Sequence, residues 1–127
     1  MHFSSYRRFP QINGVIHAHP QFLNVFAASG MPVTPTNQYT EKFGATDIVP
    51  NLPSHSQELA DAVVAALEPR ESQLEKNGLG LILTWHGVVV VARDLADAYD
   101  TLDRLEWSAH TLLMARAAQI ELTGQGR

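Results

Sequence analysis

The clearest pattern along the chain is a pair of apolar runs, Leu79-Gly80-Leu81-Ile82-Leu83 and Val88-Val89-Val90-Val91, separated by Thr84-Trp85-His86-Gly87. Neither run alternates with polar residues, and the second is wholly β-branched. Both features predict strands buried on two faces of a sheet. Upstream, Asn13-Gly14 marks a turn, and Val15-Ile16-His17-Ala18-His19 reads as a strand that Pro20 ends. Phe22, Leu23, Val25 and Phe26 suit a short helix that runs to Ser29 and closes at Gly30. Residues 31–35 form an extended, proline-rich connection, and a short strand is expected around Ile48 and Val49.

Two further helices are marked. Ser54 and Gln57 have capping-box spacing, Leu59, Ala60, Val63, Val64 and Leu67 recur at helical intervals, and Pro69 stops the run. Asp94 caps the last helix, with Asp97 in its positive first turn. Leu95, Ala98, Leu102, Leu105, Ala109 and Leu112 lie on one face of that helix. Gly124-Gln125-Gly126-Arg127 is expected to fray. Strands alternating with helices predict an α/β fold, a layered α/β/α arrangement with a central β-sheet flanked by helices. Some four strands and three or four helices are a thin complement for such a sheet.

Length and composition narrow the function. The 127 residues, 14.0 kDa, make one domain over residues 1–127. Nine Lys and Arg against 13 Asp and Glu give a net charge of −4, which argues against a surface built to grip nucleic acid. With 45% hydrophobic and 17% charged residues the chain can bury a core. The N-terminal residues lack the apolar stretch of a signal peptide, and no apolar run is long enough to span a bilayer. A soluble, cytoplasmic protein that binds neither nucleic acid nor membrane is expected. The absence of cysteine excludes disulfides, thiolate metal sites and a cysteine nucleophile, and leaves six histidines.

Three of those histidines form a pattern. His17 and His19 are two residues apart in an expected strand, so both side chains point to one face, with Cα atoms about 6.6 Å apart. Two imidazoles so placed can bring nitrogens within ~2.1 Å of one metal ion. They also sit at the strand's C-terminal end, where α/β sheets gather ligands. The pair alone is a weak signal, outweighed by the reading of two surface or hydrogen-bonded histidines. His86 strengthens it, because an imidazole between two buried runs must be paired or ligated. The alternative for His86 is a core histidine bonded to a backbone carbonyl. Three neutral imidazoles suit Zn²⁺, Fe²⁺, Co²⁺, Ni²⁺ or Mn²⁺ rather than Mg²⁺ or Ca²⁺. His2, His55 and His110 carry weaker signals. Glu106 reads as a salt-bridge or interface residue, Trp85 and Phe43 as packing or pocket residues, and Tyr39 and Tyr99 as acids that nothing in the spacing singles out.

The order of these pieces resembles the class II aldolase/adducin family, whose members include fuculose-phosphate and rhamnulose-phosphate aldolases. The matching stretches are His2 with Tyr6 and Arg8; Gly14-Val15-Ile16-His17-Ala18-His19-Pro20; Leu83-Thr84-Trp85-His86-Gly87-Val88-Val89-Val90; and Asp94-Leu95-Ala96-Asp97-Ala98 leading to Leu105-Glu106 and Ala109. The resemblance implies that His17, His19 and His86 hold a divalent metal, usually Zn²⁺. It also implies a homotetramer and a small sugar-phosphate or related carbonyl substrate. The implied reaction is retro-aldol cleavage or epimerisation through a metal-stabilised enediolate. One departure matters. In the family a Ser-Ser-Glu-like motif lies just before the position of His2, and its Glu is the acid/base. Here Met1 leaves it no place, and the family's upstream phosphate-binding loops are missing too. The chain therefore looks like the C-terminal part of the family domain, N-terminally truncated, with weak or absent turnover. Glu41, Asp47 and Glu106 are not obvious replacements. The alternative to an aldehyde-lyase-type enzyme is a non-catalytic metal-binding remnant or an adducin-like interaction domain.

Overall fold

The computed structural model describes residues 2–123. The expected fraying of residues 124–127 lies outside them. Four strands, β1 (Gly14–Ala18), β2 (Asp47–Val49), β3 (Leu79–Leu83) and β4 (Gly87–Ala92), form one sheet in the order β1-β4-β3-β2. The β1–β4 and β3–β4 pairs are antiparallel, and β2 joins β3 in parallel. Among the described residues there are four α-helices, α1 (His2–Arg8), α2 (Leu23–Ser29), α3 (Gln57–Leu67) and α4 (Leu95–Ala117); α2, α3 and α4 pack on the sheet, and α1 packs on α3.

The uninterrupted apolar runs are explained by this arrangement. All six residues of β4 are buried. Side chains alternate along a strand, so one run feeds two cores. Leu79, Leu81, Leu83, Val89 and Val91 join Phe9, Val63 and Leu67 on one side. Ile82, Val88, Val90 and Ala92 join Phe26, Ala98, Leu105 and Ala109 on the other. The layers are thus α1 and α3, the sheet, then α2 and α4. Each fully buried valine or leucine contributes ~2 kcal/mol by leaving water.

The register of β1 against β4 pairs His17 with Val89 and Ala18 with Val88. Gly14 opens β1 beneath the start of α4. A Cβ there would lie 2.3 Å from the Asp94 carbonyl oxygen, so only glycine fits this contact. Asp94 caps α4 as expected, its Oδ1 accepting from the Asp97 amide at 2.7 Å. Gly30 ends α2 with the expected left-handed backbone, φ 65°.

Several expectations differ from the fold. The cap of α3 is Ser56, not Ser54, and its Oγ accepts the Leu59 amide at 3.1 Å. Pro69 ends α3 but not the helical path, which continues as a 3₁₀ stretch over Glu68–Glu75. Proline suits a first turn, where its missing N–H leaves no bond unmade. Helix α1 had no periodic apolar signal. Leu95 is 62% exposed, off the apolar face of α4, where Thr101 and Ser108 are buried instead.

Candidate metal centre

The three-histidine cluster grows from two pieces of backbone. Strand β1 carries His17 on the same side as Val15, and the chain sets His19 just past the strand's end. The β3–β4 turn supplies His86 beside them. Short bonds fix that turn: the His86 amide donates to the Leu83 carbonyl at 2.9 Å, Thr84 to Val49 at 3.0 Å and Trp85 to Ala27 at 2.9 Å. The strands carry no ionisable side chain inside the β3–β4 hairpin, so the polar group is left at its tip.

The ring centroids of His17 and His19 lie 4.8 Å apart, those of His17 and His86 4.7 Å, and those of His19 and His86 6.0 Å. One nitrogen from each of the three comes within 4.8 Å of the others. His17 and His86 are half-buried, and His19 is exposed. Gly87 makes this packing possible. A Cβ on it would lie 2.6 Å from the His19 ring and 2.7 Å from the Ala18 carbonyl oxygen.

The His17 Nδ1 lies 2.9 Å from the Val88 carbonyl oxygen. A carbonyl only accepts, so Nδ1 holds the proton and Nε2 keeps its lone pair free. Such a bond orients a ligating imidazole and raises its basicity. Burial lowers the His86 pKa from its ordinary value, and the facing His17, His19 and His55 lower it further. Loss of water around the ring likewise lowers the pKa of His2, followed by nearby positive charge that includes His17; a hydrogen bond with the Val15 backbone works the other way. The lowering at His86 favours its neutral imidazole, the form that binds metals.

These residues fit a borderline divalent cation. Three imidazoles converge, one is fixed in the ligating tautomer, and among the described residues no Asp or Glu joins the group. Beside His86 lies a cleft of about 470 Å³ lined by Asn51, Leu52, Pro53, Ser54, Trp85 and His86.

The residues with weaker signals fall elsewhere. Among the described residues Glu106 forms no salt bridge; it accepts the amides of Phe22, at 3.0 Å, and Leu23, at 2.8 Å, where α2 begins. It thereby anchors the segment that follows His19 and Pro20. His110 stacks on Phe22 with centroids 4.0 Å apart. Asp47 pairs with Arg70, and Glu41 opens a 3₁₀ turn. Phe43 is buried in the core, whereas Tyr39 and Tyr99 are exposed.

A family model described as the class II aldolase and adducin N-terminal domain matches residues 1–113. The chain belongs to the class II aldolase and adducin family. Within this family it is 30% identical over 109 residues to an L-fuculose phosphate aldolase of Methanococcus maripaludis, a match covering 84% of this chain and 54% of that protein. It is 24% identical over 127 residues to a 3-oxo-tetronate 4-phosphate decarboxylase of Haemophilus influenzae, covering 94% of this chain and 56% of that one. A solved L-fuculose 1-phosphate aldolase superposes with a TM-score of 0.77 at 21% identity over 91% of this chain and 51% of its own. Another, from Glaciozyma antarctica, gives 0.66 at 21% identity, over 92% and 41%. These structures establish the shared α/β fold. The chain spans about half the length of the curated relatives it matches. Among the described residues, no helix is long and apolar enough to cross a membrane.

Proposed function

We propose that this chain carries the metal-binding part of a divalent-metal-dependent lyase of the class II aldolase kind, acting on a small sugar phosphate or a related carbonyl compound. The observation that carries the reading is the convergence of His17, His19 and His86 from segments 69 residues apart in the chain (86 − 17). These three residues would hold the metal, with Zn²⁺ the ion their donor set suits best. When bound, the cation supplies Lewis acidity toward carbonyl and hydroxyl oxygens, the chemistry that retro-aldol cleavage and epimerisation share.

The chain's own residues do the rest of the work at this site. His17 keeps its proton on Nδ1, against Val88, and presents Nε2. Gly87 leaves room for His19. Glu106 fixes the backbone beyond Pro20 and so limits how far His19 can drift. The cleft next to His86 gives a small substrate a place beside the metal. In keeping with the family, we place the protein in the cytoplasm as one domain over residues 1–127, assembled as a homotetramer.

A second reading, a non-catalytic metal-binding remnant or adducin-like interaction domain, draws on one observation. No carboxylate among the described residues joins the histidines, and Asp47 and Glu106 are engaged elsewhere. Two measurements separate the readings. Metal content of the purified protein should approach one zinc per chain and vanish in the His17→Ala/His19→Ala variant; a protein that takes up no transition metal refutes the lyase and the metal-binding remnant and leaves the interaction domain. Aldehyde release from L-fuculose 1-phosphate and related ketose phosphates then decides between them. Turnover excludes the remnant, and tight metal binding without turnover on any of them favours it.

A further inference from the structure

The geometry points to Trp85 as a specificity-determining residue: its indole forms the wall against which the uncharged, hydroxylated end of a short sugar lies, in the cleft beside His86. This deepens the proposed function and rests on it for the identity of the neighbouring metal.

Trp85 is 78% exposed, the most exposed of the large apolar side chains among the described residues. Its position is also conformationally costly. Its φ of 63° lies in the left-handed region, which bulky residues avoid at a cost of about 1–3 kcal/mol. Were only a tight turn needed between β3 and β4, glycine or asparagine would make it without that cost. The strained backbone is held in place, because the Trp85 amide donates to the Ala27 carbonyl of α2 and both neighbouring amides are bonded as well. The indole is therefore presented on a fixed mount.

The chemistry of the cleft says what the indole faces. Leu52 and Pro53 add apolar surface, Asn51 and Ser54 add an amide and a hydroxyl, and His86 of the histidine cluster lines it too. None of the six lining residues is permanently charged. Such a lining does not recognise a phosphate, which calls for arginine, lysine or a fan of amides. It suits a polyol. Sugar C–H groups carry slight positive charge and lie on the negative face of an aromatic ring, while the hydroxyls reach amide and hydroxyl partners. A backbone of three or four carbons could then place its carbonyl end toward His86 and its hydroxylated end along Trp85.

The test uses the full chain with Trp107→Phe, which leaves Trp85 as the single indole reporter. Its emission is followed against erythrulose, an uncharged four-carbon ketose, and against inorganic phosphate, with zinc and without it. Erythrulose should give a saturable change and phosphate none. In the parent chain, Trp85→Ala should weaken erythrulose binding about tenfold by calorimetry, while Trp85→Phe should restore most of it. Zinc content should be unchanged in both variants. Unaltered binding in Trp85→Ala overturns the proposal, as does a response to phosphate alone. A Trp85 emission that shifts with protein concentration and ignores the sugar overturns it too, showing that a second copy covers the indole. Failure of the metal reading shows separately, as absence of zinc. Binding of erythrulose that depends on Trp85 without zinc would keep this assignment while the metal reading falls.

Discussion

His17 and His110 lie on opposite sides of one sheet, and the contrast between their surroundings shows how neighbours decide which part of an imidazole is used. His17 meets two other imidazoles and one carbonyl oxygen, so its nitrogens decide its contacts. His110, on α4, lies flat on Phe22 with an interplanar angle of 3° and has Trp107 5.6 Å away. There the ring face decides. The residue type is the same; what differs is whether the neighbours present donor atoms or apolar planes.

The largest test of that contrast removes two of the proposed ligands. His17→Ala/His19→Ala should lower zinc affinity by more than about a hundredfold, measured by competition with a chromophoric chelator, and far-UV circular dichroism should stay native. His110→Ala should leave zinc affinity unchanged and cost about 1 kcal/mol of stability in urea unfolding. Equal effects of the two on affinity would erase the distinction.

Gly87→Ala comes next. The added methyl group meets the His19 ring and the Ala18 carbonyl oxygen, so the change should destabilise the fold by ~1–3 kcal/mol and weaken zinc binding as well. A variant that lost stability but kept its full affinity would show that His19 is not confined by this contact. Glu106→Ala should cost ~2 kcal/mol, since two amides lose a charged acceptor, and Glu106→Gln should recover part of it. Both are read by denaturant midpoints.

The smallest effect is in pH. His86 binds a proton less readily in the fold than in the unfolded chain, whose histidines titrate near 6.5. Below that value the unfolded chain holds more protons, so stability falls as the pH drops toward the lowered folded value. Protons and metal also compete for the same nitrogens. Melting temperatures of metal-free protein should decline as the pH falls below about 6.5, and His86→Ala should flatten the decline.

Much of this was legible in the sequence. Strands β3 and β4 were written as unbroken apolar runs, because both faces of each strand enter a core. The ends of α2 and α4 were written as Gly30 and Asp94. His17 and His19 could be paired from strand periodicity alone. Other features depended on distant partners. Helix α1 carries no amphipathic repeat, and its place is set by packing on α3. Ser54 and Ser56 both offer a hydroxyl near the start of α3, and only the backbone shows which one reaches an amide. The role of Glu106 needs α4 to lie over the start of α2, a contact across 83 positions. Nor does a sequence show that Trp85 takes up a left-handed backbone.

Gly14 bears on the site without being part of it. By seating β1 against the start of α4, it helps select which β4 residue faces each residue of β1. A slip of one residue there would turn His17 and His19 to the opposite face. Alignment of this one edge strand is thus a yes-or-no condition for the cluster. During refolding, uptake of a metal indicator would count correctly registered molecules, apart from those that are merely compact and helical.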